Sequence, residues 1–286
     1  MSLEDEFSDI VKKARTGQGL TVEAIAKASG VPVSEVTLLE RGTRLPTRPE
    51  ADAVATALRL RGEPLAQIAV EGWTPAPVPA RFNGLETVLG DIGGYAVKGY
   101  VLYDTEAGEG IIIDTGYNSQ AMLNFFEEKR LRLTGICLTH GHSDHAGGLD
   151  RLLARWPVPV YLGAEDLNLL PWTPPMDRLT LVGPDEDGRT IAVGRLSVRM
   201  IMTPGHTPGG ICYRVEQKDR SLCFVGDTLF AGSIGRANPS SLYPVHLESV
   251  RRRVLTLPSP TVLLPGHGPG TTVVEELAHN PFAAGS

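Results

Sequence analysis

Apolar residues in the first 72 positions recur at helical spacing. Phe7, Ile10, Val11 and Ala14 mark one face of a first helix. Thr21 is placed to cap a second, which carries Val22, Ile25 and Ala26 and stops at Gly30. Ser34 is in position to cap a third, with Val36 and Leu39 facing inward. Thr47-Arg48-Pro49-Glu50 has the form of a capping box with proline in the first turn, and it opens a fourth helix through Val54, Ala57 and Leu58. A shorter fifth helix is expected over 65–70.

The pattern then changes. Trp73-Thr74-Pro75-Ala76-Pro77-Val78-Pro79-Ala80 holds three prolines in eight residues, which suits a semi-rigid extended connection. Past it the apolar period shortens to that of strands. Runs at 96–103 and 110–114 flank a polar turn and predict a hairpin, and further runs stand at 136–139, 158–162, 196–202, 210–215, 222–225 and 261–264. Helical stretches at 123–128 and 149–155 fall between them. Strands and helices interleave, so the class is α/β or α+β with layered sheets. The expected division is a helical domain over 1–72, a linker over 73–81 and a second domain over 82–286.

Composition narrows this picture only a little. With 286 residues and 42% apolar content the chain can bury a core without staples. A net charge of −6 argues against a general nucleic-acid coat. Cys137, Cys212 and Cys223 each sit in an apolar run and are expected as buried free thiols. The acidic start Met1-Ser2-Leu3-Glu4-Asp5-Glu6 lacks the layout of a signal peptide, and no apolar run reaches the ~18 residues of a membrane span. A cytoplasmic protein without a membrane partner is the expectation.

Candidate chemistry changes it a great deal. Thr139-His140-Gly141-His142-Ser143-Asp144-His145 puts four metal-capable side chains within six positions, directly after an apolar run. Ligands on a turn at a strand end can converge on one volume, and imidazole with carboxylate suits zinc, iron or manganese better than calcium or magnesium. His206 lies in Thr203-Pro204-Gly205-His206-Thr207-Pro208-Gly209, Asp227 in Val225-Gly226-Asp227-Thr228, and His267 in Leu264-Pro265-Gly266-His267-Gly268-Pro269-Gly270. Each follows an apolar run and sits in a glycine-containing turn, so all can meet at one sheet edge. Five of the seven histidines belong to this pattern; His246 and His279 do not and receive no role.

This run, with a later His, Asp and His each in a glycine turn, resembles the metallo-β-lactamase superfamily over roughly residues 82–282. The resemblance implies a four-layer αβ/βα sandwich with its site at one edge of two sheets. It also implies a ligand set: His140, His142 and His206 for one metal, Asp144, His145 and His267 for a second, and Asp227 bridging both. Two zinc ions are implied, with iron or manganese as alternatives, and a hydrolase that uses a metal-bound hydroxide. Asp144 would be the catalytic carboxylate that orients this group or takes its proton. Thr139 or Ser143 is expected to fix an imidazole tautomer.

Gly226-Asp227-Thr228-Leu229-Phe230-Ala231-Gly232-Ser233-Ile234-Gly235-Arg236, with the His267 turn and Asn280-Pro281-Phe282, resembles glyoxalase II-like hydrolases and their persulfide-dioxygenase relatives. Those branches handle thioesters or glutathione-linked sulfur. Two features depart from them: Ala237-Asn238 follows the Gly-Arg pair where an aspartate is common, and no long helical region follows Pro269. Arg236 either binds a substrate carboxylate or braces its loop on an internal one. Tyr117, after Asp114-Thr115-Gly116, lines the pocket or lies on the surface. Pro171-Trp172-Thr173-Pro174-Pro175-Met176 reads equally as a lid or as a packed crossover.

In the front region, Gly19–Ala26, 30–34 and 39–46 resemble the helix-turn-helix of Xre/Cro-type repressors. The resemblance implies a helix over 34–41 in the DNA major groove, with Ser34, Glu35, Thr37, Leu38 and Arg41 toward the bases, and a homodimer on operator DNA. Lys12, Lys13, Arg15, Arg41, Arg44 and Arg48 are the candidate phosphate contacts, yet acids outnumber bases in the segment. The other reading is a helical module for dimerisation or for docking on the larger domain. The leading expectation for the whole is a hydrolase of a thioester or related small ester or lactone. A mononuclear-iron persulfide dioxygenase, built on His140 or His142 with His206 and Asp227, and a metabolite-sensing transcription regulator are the alternatives.

Overall fold

The computed structural model describes residues 2–78, 82–217 and 220–283, so the end of the proline-rich connection at Pro79 and Ala80 lies outside the described residues. Five helices come first: α1 (Phe7–Gly17), α2 (Val22–Ser29), α3 (Val33–Glu40), α4 (Arg48–Ala57) and α5 (Gly62–Ala66), the last widening into a π turn over Gln67–Glu71. Thr21 accepts from Ala24 N to cap α2, and Gly30 ends it in the left-handed region. Thr47 and Glu50 close the reciprocal box on α4. Ser34 does not cap α3, which begins at Val33 with Pro32 before it and no side-chain cap. Pro32 already fixes the entry angle and lends its carbonyl to Val36 N at 2.9 Å, which leaves Ser34 exposed in the first turn.

Two six-stranded sheets follow among the described residues. The first runs β1 (Leu85–Ile92), β2 (Tyr95–Asp104), β3 (Glu109–Thr115), β4 (Arg132–Cys137), β5 (Val160–Gly163) and β6 (Leu179–Val182), with α6 (Ser119–Lys129), α7 (Ser143–Ala146) and α8 (Leu149–Arg155) in its connections. It is antiparallel up to β3 and parallel after it. The second holds β7 (Thr190–Val193), β8 (Leu196–Met202), β9 (Ile211–Gln217), β10 (Arg220–Gly226), β11 (Val262–Pro265) and β12 (Thr271–Thr272), with α9 (Tyr243–Ser249) and α10 (Val273–His279) outside it. Strands β10 and β11 pair in parallel, so both deliver their C-terminal ends to one edge.

Side-chain alternation assigns the layers. Tyr100 and Leu102 of β2, Ile111 and Ile113 of β3, and Leu222 and Phe224 of β10 share the core between the sheets with Met200, Ile211 and Tyr213. Val101 and Ile112 face the other way, into a cluster with Met122 and Phe126 of α6 and Leu149 and Leu152 of α8. On the outer face of the second sheet, Cys212, Cys223 and Val225 join one continuous cluster with Tyr243, Val273 and the front helices, through Ile10, Val11, Leu58 and Leu65. The helical region is therefore docked on the sandwich as part of its outer layer. All three cysteines are buried and free, as expected.

Polar contacts fasten the same junction. Lys13 Nζ binds Asp5 Oδ2 at 2.5 Å and donates to Ile234 O at 3.0 Å, while Ser233 Oγ donates to Asp5 Oδ2 at 2.5 Å. Arg61 donates to Leu277 O at 2.6 Å, and Trp73 stacks on His279 with ring centroids 4.9 Å apart.

Behind this junction Glu276 is wholly buried, accepting from Gly232 N at 3.0 Å, Thr271 Oγ1 at 2.7 Å and Asn280 Nδ2 at 2.7 Å. Burial pushes its carboxyl up to about 7 against these donors. A folded-state value above the unfolded one means its contribution to stability is complete below the ordinary carboxylate range and is lost as pH rises through about 7. Thermal unfolding from about pH 5 to about pH 8 should show the wild-type midpoint falling, with that fall reduced in Glu276→Gln. Parallel profiles for the two proteins would refute the assignment.

Candidate metal centre

Each candidate side chain stands just past the C-terminal end of a strand. His140 and His142 follow β4; Asp144 and His145 ride on the single turn of α7; His206 follows β8; Asp227 directly follows β10; His267 follows β11. Backbone crowding there requires glycine at two points. A Cβ on Gly226, whose φ is +49°, would meet Thr139 Oγ1 at 2.3 Å, and one on Gly266 would meet His145 Cε1 at 2.3 Å.

The seven side chains meet in three overlapping groups: His140, His142 and His206; His140, Asp144 and His145; His145, Asp227 and His267. Within each group the potential ligand atoms lie within 4.8 Å of one another. Asp227 lies between the others, with carboxylate oxygens 3.3 Å from His145 Nε2, 3.6 Å from His206 Nε2 and 3.7 Å from His267 Nε2.

Ring orientation is set from behind. His145 Nδ1 donates to Asp114 Oδ2 at 2.8 Å, His206 Nδ1 to Arg236 O at 2.8 Å and His267 Nδ1 to Ala96 O at 2.8 Å. Thr139 Oγ1 gives its own proton to Asp114 Oδ2 at 2.7 Å and accepts from His140 Nδ1 at 3.1 Å. Four Nε2 atoms therefore point inward. His206 Nε2 stands 3.1 Å from His142 Nδ1.

These atoms fit a cation. His140 Nε2, His145 Nε2 and Asp227 Oδ1 are buried without a hydrogen-bond partner among the described residues. Such orphans are costly unless a ligand satisfies them. Proton affinities diverge accordingly: burial drives His140 well below its ordinary value and His206 down to about 4. His145 is raised well above its own despite burial, because the Asp227 and Asp114 charges surround it.

Two carboxylates that motif reading missed hold the site together. Asp114, buried at the end of β3, accepts from Thr139 N at 2.7 Å as well as from Thr139 Oγ1 and His145. Its only signal was a place in an Asp-Thr-Gly turn after an apolar run. Asp166, wholly buried, accepts from Gly141 N at 3.1 Å, Thr207 Oγ1 at 2.7 Å and Gly209 N at 2.7 Å, and so ties the His140 turn to the His206 turn. Nothing in its local sequence marks it. Of the two residues expected to fix a tautomer, Thr139 makes such a contact.

The remaining candidates lie around this cluster. Arg236 is exposed and has no ion pair among the described residues, so an internal carboxylate does not brace it. Its backbone carbonyl is what touches the site. Tyr117 is 47% exposed and packs over Gly147, beside α7 and outside the cluster. Trp172 and Met176 are exposed in their proline-rich loop. On α3, Ser34 and Leu38 are exposed and Glu35 and Thr37 half-exposed, and Arg41, just past its end, is exposed. Most cations expected at DNA phosphates are paired: Arg15 with Glu40 at 2.5 Å, Arg44 with Glu35 and Glu50 at 2.8 Å each, and Arg48 with Glu63 and Glu71.

The chain belongs to the metallo-beta-lactamase superfamily, whose family model matches residues 59–267; a helix-turn-helix model matches residues 11–65. A probable metallo-hydrolase of Bacillus subtilis, YqgX, is 35% identical over 195 residues, covering 61% of this chain and 87% of that protein. Hydroxyacylglutathione hydrolase GloC of Haemophilus influenzae is 31% identical over 183 residues, covering 60% of this chain and 85% of that protein. Among solved structures, the BLEG-1 B3 metallo-beta-lactamase is similar with a TM-score of 0.61 at 31% identity, covering 70% of this chain and 100% of its own. TTHA1623, in a di-iron-bound form, has a TM-score of 0.58 at 30% identity, covering 68% and 99%.

Proposed function

We propose that this chain is a hydrolase of thioesters or related small esters and lactones, dependent on two divalent ions, with zinc as the first choice. The observation that carries the reading is the inward convergence of imidazole Nε2 atoms and carboxylates, with the far side of the rings already hydrogen-bonded. His140, His142 and His206 would hold one ion, and Asp144, His145 and His267 the other, with Asp227 shared between them. When bound, such ions supply a nucleophile from water near neutral pH and polarise the substrate carbonyl.

The chain's own residues then hold and move the proton. The Asp144 side chain is 22% exposed against 10% for Asp227, so it is the carboxylate that substrate can approach. Burial works to raise its pKa, yet the 3.2 Å hydrogen bond from His267 and the charge of His145 hold it below the ordinary value. It is therefore ionised and able to accept a proton. Likeness to GloC, a hydroxyacylglutathione hydrolase, supports the thioester class.

The front helices belong to this enzyme as a docked layer. DNA affinity depends largely on neutralising phosphates, and Arg41, just past the end of α3, has no carboxylate partner among the described residues.

Elemental analysis of protein purified without added metal or chelator should find about two divalent ions per chain. The same protein should hydrolyse members of a thioester, ester and lactone panel and lose that turnover on chelation. A folded, metal-loaded protein inert to the whole panel sinks the reading. Oxygen uptake with a persulfide would replace it with iron-dependent sulfur oxidation.

A further inference from the structure

A cavity of about 290 Å³ lies at the junction between α1 and the loop that follows β10. Lys12, Lys13, Thr16 and Gly17 form its α1 wall; Arg236, Ala237, Asn238 and Ser240 form the other. The loop wall is also the support of a candidate ligand. Arg236 O accepts from His206 Nδ1 at 2.8 Å, and Asn238 N donates to His206 O at 3.1 Å. The cavity is thus one residue's thickness from the centre.

Its lining holds three cations and no carboxylate. Lys13 is neutralised at the junction by Asp5, with which it pairs at 2.5 Å. Lys12 and Arg236 are different: both are exposed and neither has an ion pair among the described residues. This contrasts with Arg15, Arg44 and Arg48 in the same front region, all of which are paired. Two unpaired cations facing one cavity, in a chain of net charge −6, hold a local positive field that only an anion completes. A guanidinium takes a carboxylate or phosphate through two parallel bonds, and an ammonium adds a point charge.

We propose that this cavity is a composite anion subsite, in which Lys12 of α1 and Arg236 bind a carboxylate or phosphate on the substrate's tail while its reacting carbonyl lies at the metal cluster. The helix-turn-helix region then supplies part of substrate recognition. That the anion belongs to a substrate rests on the hydrolase reading; that the cavity binds an anion does not.

The test uses the metal-loaded full chain and two thioesters of equal length, one ending in a carboxylate and one in the neutral carboxamide. Wild type should prefer the carboxylate. Lys12→Glu should cut that preference in kcat/KM about tenfold, through KM rather than kcat. Lys27→Glu, the same charge change on exposed α2, should leave the preference as it was. Equal use of both thioesters by wild type, or a preference untouched by Lys12→Glu, overturns the proposal. If neither thioester is hydrolysed, the hydrolase reading fails and the subsite is tested alone, by calorimetric titration with inorganic phosphate and with succinate. Binding weakened about fivefold by both Lys12→Ala and Arg236→Ala supports it, and the stronger of the two anions names the group. Binding that neither variant weakens overturns it.

Discussion

Asp227→Ala is expected to remove one ion per chain and to lower kcat/KM for any thioester substrate by about a thousandfold or more. Asp227 is the carboxylate that reaches toward His145, His206 and His267 at once, at 3.3, 3.6 and 3.7 Å. Its Oδ1 has no hydrogen-bond partner among the described residues, so alanine breaks no hydrogen bond of that atom. The loss should therefore appear in metal content and turnover with little change in near-ultraviolet circular dichroism. Full metal content with wild-type kinetics would refute a shared role.

Asp114→Asn should weaken metal binding about ten- to a hundredfold: it keeps the shape of the side chain but removes its charge and one acceptor. Asparagine can keep Thr139 N on its oxygen. Its amide, however, replaces the Oδ2 that now accepts from both Thr139 Oγ1 and His145 Nδ1. Facing a donor, His145 must give up its Nδ1 proton and carry one on Nε2, the atom that points into the cluster. Competition with a chelator indicator measures the affinity, and nitrogen-15 shifts of the histidine rings report the tautomer. Unchanged affinity with a switched tautomer would show that His145 is no ligand.

How much of this was legible depended on whether the information was local. The His140–His145 run compresses four chemical groups into one turn, and the later His206, Asp227 and His267 each sit among glycines, so the cluster stood out in a single chain. Asp114 and Asp166 are lone carboxylates whose partners lie 25 positions or more along the chain, and no spacing rule connects them. Strand β1 escaped because it buries little besides Val88, which leaves no alternation to read. Strands β6 and β7 are four residues each, too short for a period. In β10 the run Leu222-Cys223-Phe224-Val225 signals burial on both faces, but an apolar run does not say what lies against either. That the front helices supply part of one cover is a tertiary fact.

That shared cover makes the chain a single thermodynamic body. Val225, two residues before Asp227, lies in the same core as Ile10 and Val11 of α1. Any ligand gripped at the sheet edge in the folded state alone raises the unfolding free energy of everything built on that core, as the logarithm of its concentration over Kd. Calorimetry should then trace one endotherm instead of two, and the melting of a helix-turn-helix becomes a gauge of how full the neighbouring site is.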